Sequence, residues 1–298
     1  MGIVQMQGTA VEYLFNVDCV GEFEANTAEW HELRKSGVGG SDVAAIVGVS
    51  KWTSAYALWA QKSGLIPDDM SDSEAMEWGR ILEPVIRQRF ADKHPEWEIV
   101  ESKATFRSRE QSWLLANVDG FIDFGNNEWG LLEIKTAAYE DDWANGVPLY
   151  YQTQVRHYMR VFGLKRAFVA VLFHGSAYKE FEIIADSFLD FADVEMVEQF
   201  WKNVESGEAP AWDGALATYE AVRKMHPDIE DTSVELGDLG MHLINAVWDF
   251  EVAQRHMNEM KSRTLDALGS AKYGTFDDRK ICYRSSKSGG TPFLVIKK

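Results

Sequence analysis

Apolar positions three and four residues apart mark the helices of this chain. Over 73–93 (SEAMEWGRILEPVIRQRFADK) they are Trp78, Leu82, Val85, Ile86 and Phe90, the stripe of an amphipathic helix. Pro84 falls inside that stripe and predicts a kink or break near Glu83. Thr27 is a good N-cap for AEWHELRKS, a short helix with Glu29 in its first turn and Arg34 and Lys35 near its end. Gly37, Gly39 and Gly40 then form a flexible approach to a helix capped by Ser41 or Asp42 and running through Ala44, Ala45 and Ile46. Residues 54–63 read as another helix, closed by Gly64 and Pro67, and further helices are expected over 148–163 and 187–206.

Strands are read between them. EWEIVESKATFRS, SWLLANVDGFIDF and GLLEIKTA form three in succession, and RAFVAVLFHG and YKEFEII two more. Residues 1–26 look like an irregular or strand-bearing extension. Beyond about residue 212 the character shifts: 232–268 reads as one long acidic helix or a helical pair, with DRKICYRSS and PFLVIKK as a closing hairpin. The expected division is an N-terminal extension over 1–26, a core domain over 27–211 and a C-terminal appendage over 212–298.

Composition narrows the class. With 298 residues, 46% of them hydrophobic, the chain can bury a large core. It has no run of the roughly 20 apolar residues that a membrane helix needs, and its first ten residues lack the basic and apolar regions of a signal peptide, so a cytoplasmic protein is expected. Cys19 and Cys282 are too few for a disulfide framework or a zinc cluster. The net charge of −17 argues against a generally basic, nucleic-acid-adhesive exterior. That charge is uneven: 186–260 carries 17 acidic against 4 basic residues, whereas 261–298 carries 3 against 9. A local basic channel with metal ions can still admit DNA to an acidic body.

Candidate chemistry concentrates in Leu115–Lys135, LANVDGFIDFGNNEWGLLEIK. The turn-rich GNNEWG suits a hairpin that brings Asp119 beside Glu133 and Lys135, which share one face of a strand while Ile134 points into the core. Taken singly, an Asp-Gly on a strand is a bend and a Glu-x-Lys a solvated face. Here both carboxylates interrupt strongly apolar strands, where a charge without a partner or metal costs several kcal/mol. Asp119 and Glu133 are hard oxygen donors suited to Mg²⁺, Glu83 on the preceding helix offers a further carboxylate, and Lys135 can orient a water or stabilise developing charge.

This D-x(n)-E-x-K order, with a Glu-bearing helix before it and a Gln-bearing helix after it, resembles the PD-(D/E)xK nuclease superfamily. Four blocks (WHELRKSGVGGSDVAAIVG, WGRILEPVIRQRF, LLANVDGFID with LLEIKTA, and YYQTQVRHYM) resemble the YqaJ and lambda-exonuclease family of viral recombinases over about residues 27–200. The resemblance implies a three-layer α/β, restriction-endonuclease-like core with a mixed central sheet flanked by helices, followed by a mostly helical C-terminal appendage. It implies that Asp119 and Glu133 bind Mg²⁺, with Mn²⁺ able to substitute, and that the backbone carbonyl of Ile134 and the carboxylate of Glu83 complete the metal site. Lys135 then positions the attacking water and Gln154 supports it. Arg156 stands where the family carries a second glutamine, which puts that position's role in doubt.

GVGGSD lacks the Gly-Lys-Ser/Thr ending of a nucleotide-binding loop. Backbone N–H groups at the start of its helix, that of Gly40 among them, together with Ser41 and Arg34, can hold one phosphate, although a plain helix cap after a glycine turn has the same pattern. In the resembling family the arginine and serine at these positions recognise the 5′-terminal phosphate of the degraded strand. The expected activity is 5′-to-3′ exonuclease action on double-stranded DNA ends in phage-type recombination, by a homo-trimer with a single-strand annealing partner. The alternatives are an endonuclease or a nuclease of other polarity on the same core, and a non-catalytic module that binds DNA ends or protein. Trp52, Tyr56 and Trp59 have the helical spacing of core residues, Trp30 and Trp78 are left open, and His157 reads as packed or hydrogen-bonded rather than catalytic.

Overall fold

The computed structural model describes residues 2–24, 26–68 and 70–297, and side chains at all of these except 187–192. Two compact units divide it, Met1–Asp228 and Ile229–Lys298. In the first, β1 (Ile3–Gln5), α1 (Gly8–Leu14) and β2 (Val17–Glu22) precede α2 (Ala28–Lys35), α3 (Gly40–Ile46), α4 (Ala55–Lys62) and α5 (Glu74–Lys93). Then come β3 (Glu98–Glu101), β4 (Ala104–Ser108), β5 (Leu115–Ala116), β6 (Gly120–Gly125) and β7 (Glu128–Ala137), and after a short 3₁₀ turn α6 (Leu149–Phe162). The strands β8 (Arg166–Phe173) and β9 (Ala177–Ile184) and the helices α7 (Ser187–Ser206) and α8 (Leu216–Met225) complete it.

The central sheet has the order β1-β3-β6-β7-β8-β9, with β1–β3 and β7–β8 parallel and the other neighbours antiparallel. The parallel pair is joined through α6, the crossover such a pair requires. Alternation along the strands sorts side chains between two cores. Ile122, Leu132, Ile134, Phe168 and Ala170 pack with Ile86 and Phe90 of α5. Phe121, Leu131, Val169 and Val171 pack with Val155, Met159 and Phe162 of α6. This is the expected mixed sheet with helices on both faces. Each of the larger apolar side chains contributes about 1.5–3 kcal/mol by leaving water. Because both faces are buried, Glu133 lies inside the α6-side core, only 3% exposed, instead of on an open face.

Several expectations are corrected. The α5 helix is not broken at Pro84, because its buried Ile86, Phe90 and Ala91 hold the second half on the sheet. EWEIVESKATFRS divides into β3 in the central sheet and β4 in a separate sheet of order β2-β4-β5, and SWLLANVDGFIDF likewise divides into β5 and β6. The N-terminal extension is strand-bearing, and it packs into the core: β1 pairs with β3, β2 pairs with β4, and Val11 and Val17 are fully buried. At the other end Trp212 stacks on Tyr56 and Thr218 meets Ser54 at 2.7 Å, so the compact unit extends past residue 211.

In the second unit α9 (Asp238–Leu268) is a single helix, not a helical pair. The expected hairpin is a three-stranded antiparallel sheet, β10 (Tyr273–Phe276), β11 (Arg279–Ser285) and β12 (Phe293–Ile296). Tyr273–Phe276 carried too short a pattern to be read as a strand on its own.

Candidate active site

The β6–β7 hairpin turns at Asn126 and Asn127, both left-handed with φ of 54° and 63°. Two consecutive positive φ values make the tight turn that fits the twist of paired strands, and Asn tolerates them. The resulting register sets Gly120 opposite Leu132, and so carries Asp119, one residue before β6, to the middle of β7 where Glu133 stands. There Asp119 Oδ2 accepts the backbone N–H of Ile134 at 2.6 Å. Glu133 Oε1 accepts Lys135 Nζ at 2.5 Å and Gln154 Nε2 from α6 at 2.7 Å. Gln154 also donates to the Tyr158 hydroxyl at 3.3 Å, and the Lys135 ammonium lies 4.9 Å from the centre of the Tyr151 ring.

Glu83 approaches from α5 and is held by Arg87 one turn later. Arg87 is almost fully buried. Its Nη1 lies 3.0 Å from Glu101, and its Nε donates to the carbonyl of Asp119 at 3.2 Å. One guanidinium therefore ties the helix carboxylate to the backbone of the strand carboxylate. Sequence reasoning passed over Arg87, although its i,i+4 spacing from Glu83 is a helix-pair signal.

Burial and mutual repulsion dominate the electrostatics. Burial first, and then the charge of Asp119, push Glu133 up to about 8 against the pull of Lys135. The same two causes push Glu83 up to about 7, opposed by Arg87. Asp119 is also raised, by burial, against Lys135, the Ile134 N–H and Arg87. Lys135 moves the other way: burial would lower it, but Glu133 and Asp119 outweigh burial and hold it above the ordinary lysine value, so it stays an ammonium. Buried carboxylates, two of them raised further by the charge of Asp119, make a site short of positive charge.

That deficit is the test for a divalent cation. The donor set is all oxygen, which suits Mg²⁺, an ion that keeps several waters and takes one or two protein carboxylates. Among the described residues no three His, Cys, Asp or Glu side chains stand as a ready-made cage. Each carboxylate is instead held by protein donors at one oxygen. Glu83, Asp119, Glu133 and Ile134 nevertheless line one cleft of about 920 Å³, so the residues fit an ion that uses few ligands.

The same cleft includes Arg34 and Asp42. Arg34 lies over Trp30, 4.5 Å from the ring centre, and its Nη2 meets Asp42 Oδ1 at 2.5 Å and Ser41 Oγ at 3.0 Å. The cap of α3 differs from expectation. Gly39 is the N-cap, and Asp42, inside the helix, reaches back to accept the Gly39 N–H at 2.9 Å. Ser41 is thus left to Arg34. Trp52 also departs from its expected core role: it is 66% exposed, meets Tyr150 edge-on and lines the cleft, while Tyr56 and Trp59 are buried. Trp30 lines the cleft, and Trp78 is half-exposed on α5. His157 is buried with Nε2 2.9 Å from the Leu115 carbonyl, and burial lowers it to about 4.

The profile of the YqaJ-like viral recombinase domain matches residues 29–165, which contain every one of these site residues. The uncharacterized protein YqaJ of Bacillus subtilis (strain 168) is 30% identical over 274 residues, 88% of this chain and 84% of that protein. Among solved structures, the alkaline exonuclease LHK-Exo of Laribacter hongkongensis covers 61% of this chain and 94% of its own, with a TM-score of 0.49 and 22% identity. A phage-related exonuclease from Haemophilus somnus 129PT covers 60% and 100%, with a TM-score of 0.43 and 10% identity. The identity to YqaJ over most of both chains, together with the matched profile, shows that this chain belongs to the YqaJ-like viral recombinase family.

Proposed function

We propose that this chain is a Mg²⁺-dependent deoxyribonuclease that degrades double-stranded DNA from its ends, 5′ to 3′, in recombination of the phage type. The observation that carries the reading is one cleft that joins Glu83, Asp119, Glu133 and Lys135 to Arg34. Hydrolysis needs the first group and recognition of a strand end needs the second.

Glu83, Asp119, Glu133 and the Ile134 carbonyl would hold Mg²⁺, or Mn²⁺ in its place. When bound, such an ion lowers the pKa of a water and offsets charge on the phosphoryl oxygens. Lys135 supplies a fixed positive charge beside the attacked phosphate and orients the water. Gln154, from α6, holds Glu133 at the same oxygen as Lys135, and Arg87 holds Glu83 and the Asp119 backbone in one frame. Arg34 and Ser41 receive the terminal 5′ phosphate, as a guanidinium with an adjacent hydroxyl does well. A homo-trimeric ring and a single-strand annealing partner belong to the same reading and rest on family likeness.

The test is digestion of a linear duplex, labelled at either end, with and without 5′ phosphate and with and without Mg²⁺. Release of the 5′ label first, only with Mg²⁺ and only from ends, is expected. Cutting of closed circles would replace the reading with an endonuclease, and binding of ends without hydrolysis would replace it with a non-catalytic module.

A further inference from the structure

The Arg34 pocket presents an electrostatic problem. A guanidinium 2.5 Å from a carboxylate is a neutral pair, and a neutral pair attracts a phosphate poorly. Asp42 is 3% exposed and Arg34 33%, so the carboxylate sits behind the guanidinium and would cancel its charge.

Behind Asp42 lies Lys62, the last residue of α4 and 4% exposed. Its Nζ is 2.9 Å from Asp42 Oδ2 and donates to the carbonyls of Arg34 and Gly37 at 2.7 Å each. Burial lowers the Lys62 pKa against the pull of Asp42, but three acceptors around one nitrogen match the three hydrogens of an ammonium ion, and the geometry points to that form. Both oxygens of Asp42 accept hydrogen bonds, from Arg34 on one side and from Lys62 and Gly39 on the other. Burial would raise this carboxyl, but Lys62 and Arg34 outweigh burial and hold it below its ordinary range. The three ionised groups sum to one positive charge, carried at the only member that opens substantially to the cleft.

We propose that Lys62 is a positioning and charge-setting residue for the 5′-phosphate pocket: by neutralising Asp42 it lets that carboxylate fix Arg34 without cancelling the charge that meets the phosphate. This rests on the end-recognition reading of Arg34 given above. Lys62 also clamps the carbonyls of α2's last turn and of the glycine approach, so one side chain sets both the place and the net charge of the pocket.

The experiment measures the affinity of the full-length protein for a blunt duplex carrying a 5′ phosphate or a 5′ hydroxyl. Fluorescence anisotropy is read in Ca²⁺ in place of Mg²⁺, and gels confirm uncut DNA. Wild type should prefer the phosphate, and Lys62→Met should lose on the order of tenfold or more of that preference, the scale of one charge-assisted hydrogen bond. Asp42→Asn with Lys62→Met restores the single positive charge and should recover part of the preference, whereas a purely structural lysine predicts no recovery. Asp42→Asn alone, which leaves two positive charges, should keep the preference even if Lys62→Met fails to fold. An unchanged ratio in folded Lys62→Met, no recovery in the double variant, or a loss in Asp42→Asn would overturn the proposal. Arg34→Ala separates the two levels: if it too leaves the ratio unchanged, the end-recognition reading fails, and if it alone lowers the ratio, only the role of Lys62 fails.

Discussion

A Cβ placed on Gly40 would lie 2.5 Å from Cε1 of the Tyr158 ring and 3.1 Å from Cγ of Gln154. The absence of a side chain at the start of α3 therefore lets α6 approach closely enough for Gln154 to reach Glu133. Gly40→Ala should push the ring aside, cost about 1–3 kcal/mol by overpacking, and reduce nuclease activity through Gln154. Urea denaturation and a digestion assay on the same variant check both, and an unshifted midpoint would contradict the close contact.

Asp119 holds the Ile134 N–H and, in the proposed nuclease, also serves the chemistry; two substitutions separate these uses. Asp119→Asn keeps an oxygen for the Ile134 N–H and should leave the fold intact. Activity should fall at least about a hundredfold, the scale of losing one preorganised electrostatic contact. Asp119→Ala should lose activity equally and, with the N–H left without its acceptor, about 1–3 kcal/mol of stability besides. Full activity in either variant would refute the site.

Stability should depend on pH in two opposed windows. Folded Glu133 and Glu83 keep their protons up to about 8 and about 7, against 4.5 as the ordinary value. The folded state thus binds more protons than the unfolded one in that range, and stability falls as pH rises from 4.5 to 8. His157 acts oppositely: its folded value of about 4 lies below the ordinary 6.5, so its contribution is complete above 6.5 and is lost as pH falls toward 4. Thermal melts across pH should show both slopes. Under the proposed function Mg²⁺ should flatten only the first, since cation and proton would compete for the same oxygens, and Glu133→Gln should reduce it without metal, leaving the part due to Glu83.

Removing Arg87 leaves Glu83 and Glu101 without their shared buried partner and the Asp119 carbonyl without its donor. Arg87→Met should cost about 3–5 kcal/mol, the range for breaking a buried ion pair from one side. It should also weaken Mn²⁺ binding measured by calorimetry on the folded fraction. Wild-type Mn²⁺ affinity would show that Glu83 finds its place without Arg87.

The chain by itself determined the repeating local features. The helix over 73–93, the Asn126-Asn127 turn and the alternation around Glu133 are set by neighbours a few residues away, so they were legible along with the candidate pairing of Asp119 with Glu133 and Lys135, whereas of the apolar stripe only Ile86 and Phe90 are buried and Trp78 and Val85 stay exposed. The four sequence blocks carried the family likeness and, with it, Glu83, Gln154, Arg34 and Ser41. Only the tertiary structure decided what depends on distant partners. Pro84 is tolerated because the sheet holds α5 beyond it, and the segment of β1 joins the core because it finds an edge at β3. Trp52 opens to the cleft although its spacing suits a core. Arg87 and Lys62 looked like ordinary helix charges in sequence. Their roles follow from burial, which removes water as an alternative partner and obliges each cation to find its acceptors in the fold: Glu83, Glu101 and Asp119 for one, Asp42, Arg34 and Gly37 for the other.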